Sequence, residues 1–454
     1  MSTQIVIVGA ARTPLGSFGG SLSPVSCTQL GASAIEGALS SCSQAISADA
    51  IQEVIMGNVL SAGLGQAPAR QACLGAGLNT STCCTTVNKV CSSGLKAVAY
   101  GAQSIKLGDA TCVVAGGMEN MSRVSFHTTI FPSFLSLSLS LSLSLSFSWF
   151  EKRFEASGLT KRSNSLFLTG LVATSQVPYY LPMNRGQPGY RMGDKQVWDG
   201  MIKDGLWDPY DDVHMGVCGE KCAKEFGITR KEQDDFAIES LRRAHRAHQK
   251  GYFKDEIVPV EVKKGRGNSV IVSDDEPLVS LQINESKIRG LKPAFQKDHG
   301  TITAANASTI SDGAAAVVLM GEETSRALKL KPLARIVGWA DSEQDPVKFP
   351  TTPAKAIEKL MRKTGRSLQE VDAVEINEAF AAVVLANMKL LGIPHEKVNQ
   401  HGGGCGLGHP IGCSGARILV TLINVLEKTG GKLGVAAICN GGGGATAMLI
   451  ETII

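Results

Sequence analysis

The chain has 454 residues, 43% hydrophobic and 19% charged, with 50 glycines and a net charge of +4. That length allows a large core and two or three domains, and the composition excludes a disordered chain. So small a net charge gives no footing for nucleic acid. The twelve cysteines form no CxxC pair, only the weak Cys218–Cys222 spacing, and so fit a reducing compartment better than a metal centre.

Residues 4–9 (QIVIVG) predict a buried opening strand, which leaves no room for a cleavable leader. The next stretch, VGAARTPLGSFGG, lacks GxGxxG, and Pro14 would break the helix a dinucleotide loop needs. IVIVGA, TQLGASAIEGALSSC and AIQEVIMGNVL alternate strand, helix and strand, an α/β pattern with largely parallel strands. After Cys91, SSGLKAVAYGAQSIKLG predicts a helix ending near Gly108. A thiol at that N-terminus feels the positive end of the peptide dipoles, which favours thiolate. The competing reading is a buried structural cysteine.

From Leu135 to Ser146 leucine and serine alternate strictly, flanked by Phe131, Phe134, Phe147, Trp149 and Phe150. As a strand this would be an aggregation-prone edge, and with half its positions serine it is no membrane span. Residues 177–310 are more polar, as an inserted lobe would be. In EINEAFA, Asn377 can orient a water or polarise a carbonyl; the competing reading is a cap for the helix that follows, and both roles can hold together. His409 sits in a Gly-His-Pro turn, where a neutral imidazole can accept a thiol proton and return it; the alternative is a turn histidine satisfied by backbone. Cys439 ends the strand KLGVAAICN and runs into Gly441–Gly444, whose N–H groups can approach a ligand closely; the alternative is a buried strand cysteine. An internal echo, CSSG–helix–strand at 91–118 and CSGA–helix–strand at 413–444, suggests two related halves. The terminal ETII is not a peroxisomal address, so cytoplasm is the expected location.

NKVCSSGLKA, GGMENMS, HMG at His214–Gly216, TITAANASTISDGAAA, NEAFA, GHPIGCSGAR and CNGGGGA follow one another between Ile5 and Ile450. With these motifs in this order the chain resembles the thiolases, most closely the acetoacetyl-CoA type. The resemblance implies an α/β, thiolase-like fold: two similar βαβαβαββ halves stacked together plus an α/β loop domain. The halves would be 1–123, completed by about 311–333, and 334–454, with the loop domain at 177–310. It implies acyltransferase activity, the reversible Claisen condensation of two acetyl-CoA to acetoacetyl-CoA and coenzyme A, feeding isoprenoid (mevalonate) synthesis.

By the same resemblance Cys91 is the nucleophile that carries the acetyl group. His409 is its activating base and, with a water held by Asn377, part of an oxyanion site. Cys439 takes the α-proton of the second acetyl-CoA, and the N–H groups of Cys91 and Gly441 form the other oxyanion hole. His214 and Met215 line a short acyl pocket. Phe295, Ala304, Ser308 and Phe380 contact coenzyme A, and Lys287 is a candidate for its phosphates. No metal and no permanently bound cofactor is implied, and a homo-oligomer, dimer or tetramer, without nucleic acid or membrane, is. Phe236 and Cys405 stand where potassium-activated relatives carry tyrosine and an aliphatic residue, which argues against potassium activation. Gly404 and Gly406 in GGGCG are expected to loosen the turn before His409.

The rivals are a longer-chain 3-ketoacyl-CoA thiolase and a thiolase-like protein disabled by residues 124–176. Relatives join MSR directly to VPYYLP, so this 53-residue block has no family counterpart. It is a whole number of codons, Val124 can supply GT, Gln176 can be CAG, and a CT repeat reads as Leu-Ser. The expectation is a retained intron.

Overall fold

The computed structural model describes residues 3–123, 179–180, 198–264, 267–279 and 281–453; the block at 124–176 lies outside them. The N-terminal run is β1 (Ile5–Arg12), α1 (Cys27–Ser40), β2 (Glu53–Gly57), α2 (Pro68–Gly75), β3 (Cys83–Val87), α3 (Ser93–Leu107) and β4 (Cys112–Asn120). Two longer helices, α4 (Met215–Glu225) and α5 (Arg230–Gln249), precede β5 (Ser311–Gly321). Then come β6 (Ala334–Glu343), α6 (Thr352–Thr364), β7 (Ala373–Ile376), α7 (Ala381–Leu391), α8 (Ile411–Thr429), β8 (Leu433–Asn440) and β9 (Gly444–Thr452).

Hydrogen bonds connect the strands in the order β7-β8-β9-β6-β1-β5-β4-β2-β3, with the short strand Gly16–Ser17 beside β5. The halves meet where Ile5, Val6 and Ile7 pair with Ile336, Arg335 and Ala334. The expectation of largely parallel strands is not met. Among the described strands only β2 with β3 and β4, and β7 with β8, run parallel. A parallel neighbour needs a helical crossover, whereas β8 and β9 are joined by a tight glycine turn and must be antiparallel.

Side-chain alternation sets the layers. In β1, Ile5 and Ile7 enter one core while Val6 and Val8 enter another; Val317 and Leu319 part from Ala316 and Val318 in β5 the same way. In β8, Ala436 and Ile438 share the first core, and Val435 and Ala437 enter a third. Strands buried on both faces must be apolar at every position, and IVIVGA and AAAVVLM are. Helices α3 and α8 fill the shared middle core, α1 lies in one outer core, and α6 and α7 in the other. The result is five layers: helix, sheet, helix, sheet, helix.

Every residue of α8 from Ile411 to Leu426 is buried. It crosses α3 at backbone contact: a Cβ on Gly94 would stand 2.8 Å from the Ala416 nitrogen, and one on Gly415 2.5 Å from the Leu95 nitrogen. Gly108 and Gly430, both at positive φ, end the two helices.

Candidate active site

Cys91 follows β3 after a tight turn in which Val90 takes φ +46, a strained conformation for a β-branched residue. The turn is held by Val90 N–H donating to Asn88 Oδ1 (2.9 Å), Ser93 N–H to the Val90 carbonyl (3.0 Å) and Lys89 N–H to Ser93 Oγ (2.8 Å). Burial pushes the Cys91 thiol up to about 12, opposed by the N–H groups of Gly441 and of Cys91 itself, which point at the sulfur. The thiolate expected from the helix start is therefore not the resting form. Desolvation outweighs the dipole at a sulfur this deep.

Cys439 stands at the end of β8, buried and held well above the ordinary thiol range, first by desolvation and then by the proximity of Cys91. Ser92, next to Cys91, ties the two loops together: its hydroxyl reaches the Ile438 carbonyl (3.1 Å) and Asn440 Oδ1 (2.8 Å). The bend at Gly442 and Gly443, both at positive φ, leaves Gly441 N–H facing Cys91. A Cβ on Gly441 would lie 3.3 Å from Met215 Sδ and 3.5 Å from Val90 Cγ1, so this wall tolerates no larger residue without adjustment.

His409 is buried two residues before α8. Its Nδ1 lies 2.5 Å from Ser414 Oγ, and the Ser414 hydroxyl donates to the Pro410 carbonyl at 3.0 Å. With that hydrogen committed, Nδ1 carries the imidazole proton and Nε2 is left as an acceptor, 3.4 Å from Asn377 Nδ2. Burial, and then the Arg417 charge, hold the ring down to about 3, so it is neutral. Asn377 follows Ile376, whose register partner Ala437 is two residues short of Cys439. Its Oδ1 is buried without a partner among the described residues, an acceptor suited to hold a water. Asn377 is not a helix cap; Phe380 occupies that position of α7.

The turn before His409 is the opposite of loose. Residues 401–410 are all buried, Gly403 N–H donates to Ser240 Oγ (3.0 Å), Cys405 N–H to Glu378 Oε2 (2.9 Å) and Gly408 N–H to the Gly404 carbonyl (3.0 Å). Glu378 fills the space that side chains at 403 and 404 would need, so glycine here permits close packing.

His214 begins α4, accepting Gly216 N–H at Nδ1 (3.0 Å), and stacks on Phe295 at 4.7 Å. Phe295 meets Phe380 edge-on at 6.0 Å, and Met215, Phe380 and Cys439 share one apolar cluster. Ser308 N–H donates to the Ala379 carbonyl (3.0 Å), and Ala304 is exposed. Lys287 stands exposed on the short helix Glu285–Arg289. Phe236 stacks on His395 at 5.2 Å. Cys218 and Cys222 are buried on α4, and no cluster able to hold a metal occurs among the described residues.

Sequence reasoning passed over Ser92, Ser414 and Glu119. Glu119 is buried at the end of β4 and accepts the N–H groups of Val59 (3.0 Å), Leu60 (3.2 Å) and Gly412 (3.0 Å) together with Asn58 Nδ2 (2.9 Å). An ionisable residue inside GGMENMS, directly after the apolar run CVVAGGM, was the available signal.

The thiolase N-terminal domain family matches residues 5–136 and 159–323, and the thiolase C-terminal domain family matches 330–452. Acetyl-CoA acetyltransferase 2 of Arabidopsis thaliana is 48% identical over 451 residues, covering 99% of this chain and 97% of that protein. The acetyl-CoA acetyltransferase of Saccharomyces cerevisiae is 43% identical over 456 residues and 100% of both chains, and a cytosolic one from Gibberella zeae is 44% identical over 450, covering 99% of this chain and 98% of that protein. The crystal structure of the Bacillus anthracis acetyl-CoA acetyltransferase superposes with a TM-score of 0.83 at 36% identity, covering 100% of this chain and 99% of that one. Two domain families and full-length relatives place the chain in the thiolase family.

Proposed function

We propose that the chain is an acetyl-CoA C-acetyltransferase, reversibly joining two acetyl-CoA into acetoacetyl-CoA and coenzyme A through an acetyl thioester on Cys91. The observation that carries this reading is the pair of bonds from the Ser92 hydroxyl to the Ile438 carbonyl (3.1 Å) and Asn440 Oδ1 (2.8 Å), which set buried Cys91 beside the strand end that holds a second buried thiol, Cys439. The N–H groups of Gly441 and Cys91 suit the oxyanion of a tetrahedral intermediate.

With both thiols neutral at rest, proton and bond must move together. In the first half-reaction the Cys91 proton passes to His409 Nε2 as the sulfur attacks, and from there to the departing coenzyme A thiolate. In the second, Cys439 takes the α-proton of a second acetyl-CoA while its own proton goes to the Cys91 sulfur as that sulfur leaves. The carbanion displaces the Cys91 sulfur from the acetyl group, and that sulfur takes the proton that closes the balance. Asn377 holds a water for the enolate oxygen. His214, Met215, Phe295 and Phe380 bound a short acyl and pantetheine path, with Ala304 and Ser308 beside it and Lys287 toward the phosphates. No cofactor is kept between turnovers. Potassium needs oxygen ligands, and the side chains of Phe236 and Cys405 offer none, so activation by that ion is not expected. We place the enzyme in the cytoplasm as a homo-oligomer that supplies acetoacetyl-CoA for isoprenoid synthesis; the cytosolic relative supports the location.

The test is thiolysis. Acetoacetyl-CoA plus coenzyme A should be turned over with kcat/KM on the order of 100-fold above that for a ten-carbon 3-ketoacyl-CoA. Comparable values would favour the longer-chain rival, and no turnover the disabled one.

Residues 124–176 are read as a retained intron, supported by the break in the family match between 136 and 159. Removing Val124 to Gln176 should leave a 401-residue protein at least as soluble and active. Loss of folding on deletion, or genomic sequence without splice signals at both ends, would overturn that reading.

A further inference from the structure

Helix α8 is buried through sixteen successive residues, yet one of its faces carries Ser414, Arg417, Thr421 and Asn424, spaced three or four apart. Ser414 is bonded to His409, and Arg417 lies one turn further along the same face. Arg417 is fully buried, and Nε, Nη1 and Nη2 all lack a hydrogen-bond partner among the described residues. A guanidinium is rarely left so bare, because its five donors lose water and gain nothing in exchange.

The neighbouring acids explain why it acts at a distance rather than by contact. Glu256 and Asp275 are engaged by Arg12, at 2.5 and 2.7 Å. Glu378 on the β7–α7 loop is engaged by Ser240 (2.7 Å) and Asn399 (2.8 Å), and Glu119 on β4 by the N–H groups around Gly412. Glu375 on β7 and the spare Oε2 of Glu256 face Arg417 electrostatically without bonding to it. Its charge is thus only partly balanced, and His409 lies within its field.

We infer that Ser414 and Arg417 are positioning residues for His409: the serine fixes which ring nitrogen faces the reactive pocket, and the unpartnered guanidinium, one turn further along, holds a fixed positive charge on the same face of the helix. This rests on the role proposed for His409 above. Its consequence is a resting pair of neutral thiol and neutral imidazole rather than a thiolate–imidazolium pair. A proton taken from Cys91 is then held only briefly and delivered readily to the departing coenzyme A thiolate.

The experiment compares Arg417→Met, Arg417→Lys, Ser414→Ala and Ser414→Thr by the pH profile of acetoacetyl-CoA thiolysis and by the pH dependence of Cys91 alkylation with iodoacetamide. Wild-type alkylation should climb through pH 9 without a plateau. Arg417→Met should move the acid limb of kcat/KM upward by about one pH unit, while Arg417→Lys keeps the wild-type profile. Ser414→Ala should lower kcat about 10- to 100-fold with KM unchanged, and Ser414→Thr should restore it. If Arg417→Met and Arg417→Lys share the wild-type profile, or Ser414→Ala keeps wild-type kcat, the positioning role is wrong. If Arg417→Met does not fold, the two serine variants and Arg417→Lys decide. Wild-type protein without acetyl transfer, or His409→Ala that retains it, would instead overturn the functional reading itself.

Discussion

Set side by side, the two halves place different chemistry at equivalent points. The strand orders β1-β5-β4-β2-β3 and β6-β9-β8-β7 are the same arrangement, and Val398, bridged to Val374, stands for the missing fifth strand. Cys91 precedes α3 by two residues and His409 precedes α8 by two; Glu119 and Cys439 are each one residue from the end of the strand that follows. Each strand end then serves the opposite half. Glu119 of the N-terminal half holds Gly412 at the start of α8, while Ile438 and Asn440 of the C-terminal half accept the Ser92 hydroxyl at the start of α3. One duplicated frame thus sets a thiol, an imidazole and a second thiol at three equivalent positions, and a clamping carboxylate at the fourth.

If the halves divide labour in this way, Cys91→Ser should lose both half-reactions, with kcat down on the order of 10^4-fold. Mass spectrometry after acetyl-CoA treatment should find the acetyl group on Cys91 in the parent protein; label on another cysteine with Cys91 free would end the assignment. Cys439→Ser should cripple condensation on the order of 10^3-fold while Cys91 is still acetylated. Equal loss of acetylation in both variants would mean the two positions do not differ as proposed.

Glu119→Ala tests the clamp. It strands several buried N–H groups, so urea unfolding should show a loss of about 3 kcal/mol. An unchanged midpoint would show that water replaces the carboxylate at no cost. The smallest effect concerns His401, which burial, then Lys428 and Lys250, hold down to about 4. The unfolded ring titrates near 6.5, so between pH 6.5 and 4 the unfolded chain binds the extra proton and stability falls as pH falls. His401→Phe should remove about 1–2 kcal/mol of that loss at pH 5 and nothing at pH 8. A parallel shift at both values would assign the effect to packing.

The α/β alternation was legible in the sequence because strands buried on both faces must be continuous apolar runs, as IVIVGA is. The antiparallel pairing was not, since β5 reaches its place beside β1 and β4 only after a long excursion. The echo between CSSG and CSGA pointed to duplication but set Cys91 against Cys413, one helical turn from its true counterpart, His409. Small residues recur at both sites because Gly94 and Gly415 let α3 and α8 cross at backbone contact, which is a packing demand rather than a mark of equivalence. The candidate residues Cys91, His409, Cys439 and Asn377 were visible through the glycine, proline and asparagine around them. Ser414 was hidden, because its meaning lies in meeting His409 across a turn.

The place of β5 carries a consequence for the order in which the molecule is made. It is the inner neighbour of both β1 and β4, yet 190 residues separate Asn120 from Ser311. A ribosome takes roughly 10 to 40 s to cover that distance. Throughout that time the nascent N-terminal half exposes the unpaired flanks of two apolar strands, and anything that lengthens the excursion prolongs the exposure. Chaperone demand during synthesis should therefore scale with whatever stands between Asn120 and Ser311, whether or not the finished enzyme notices it.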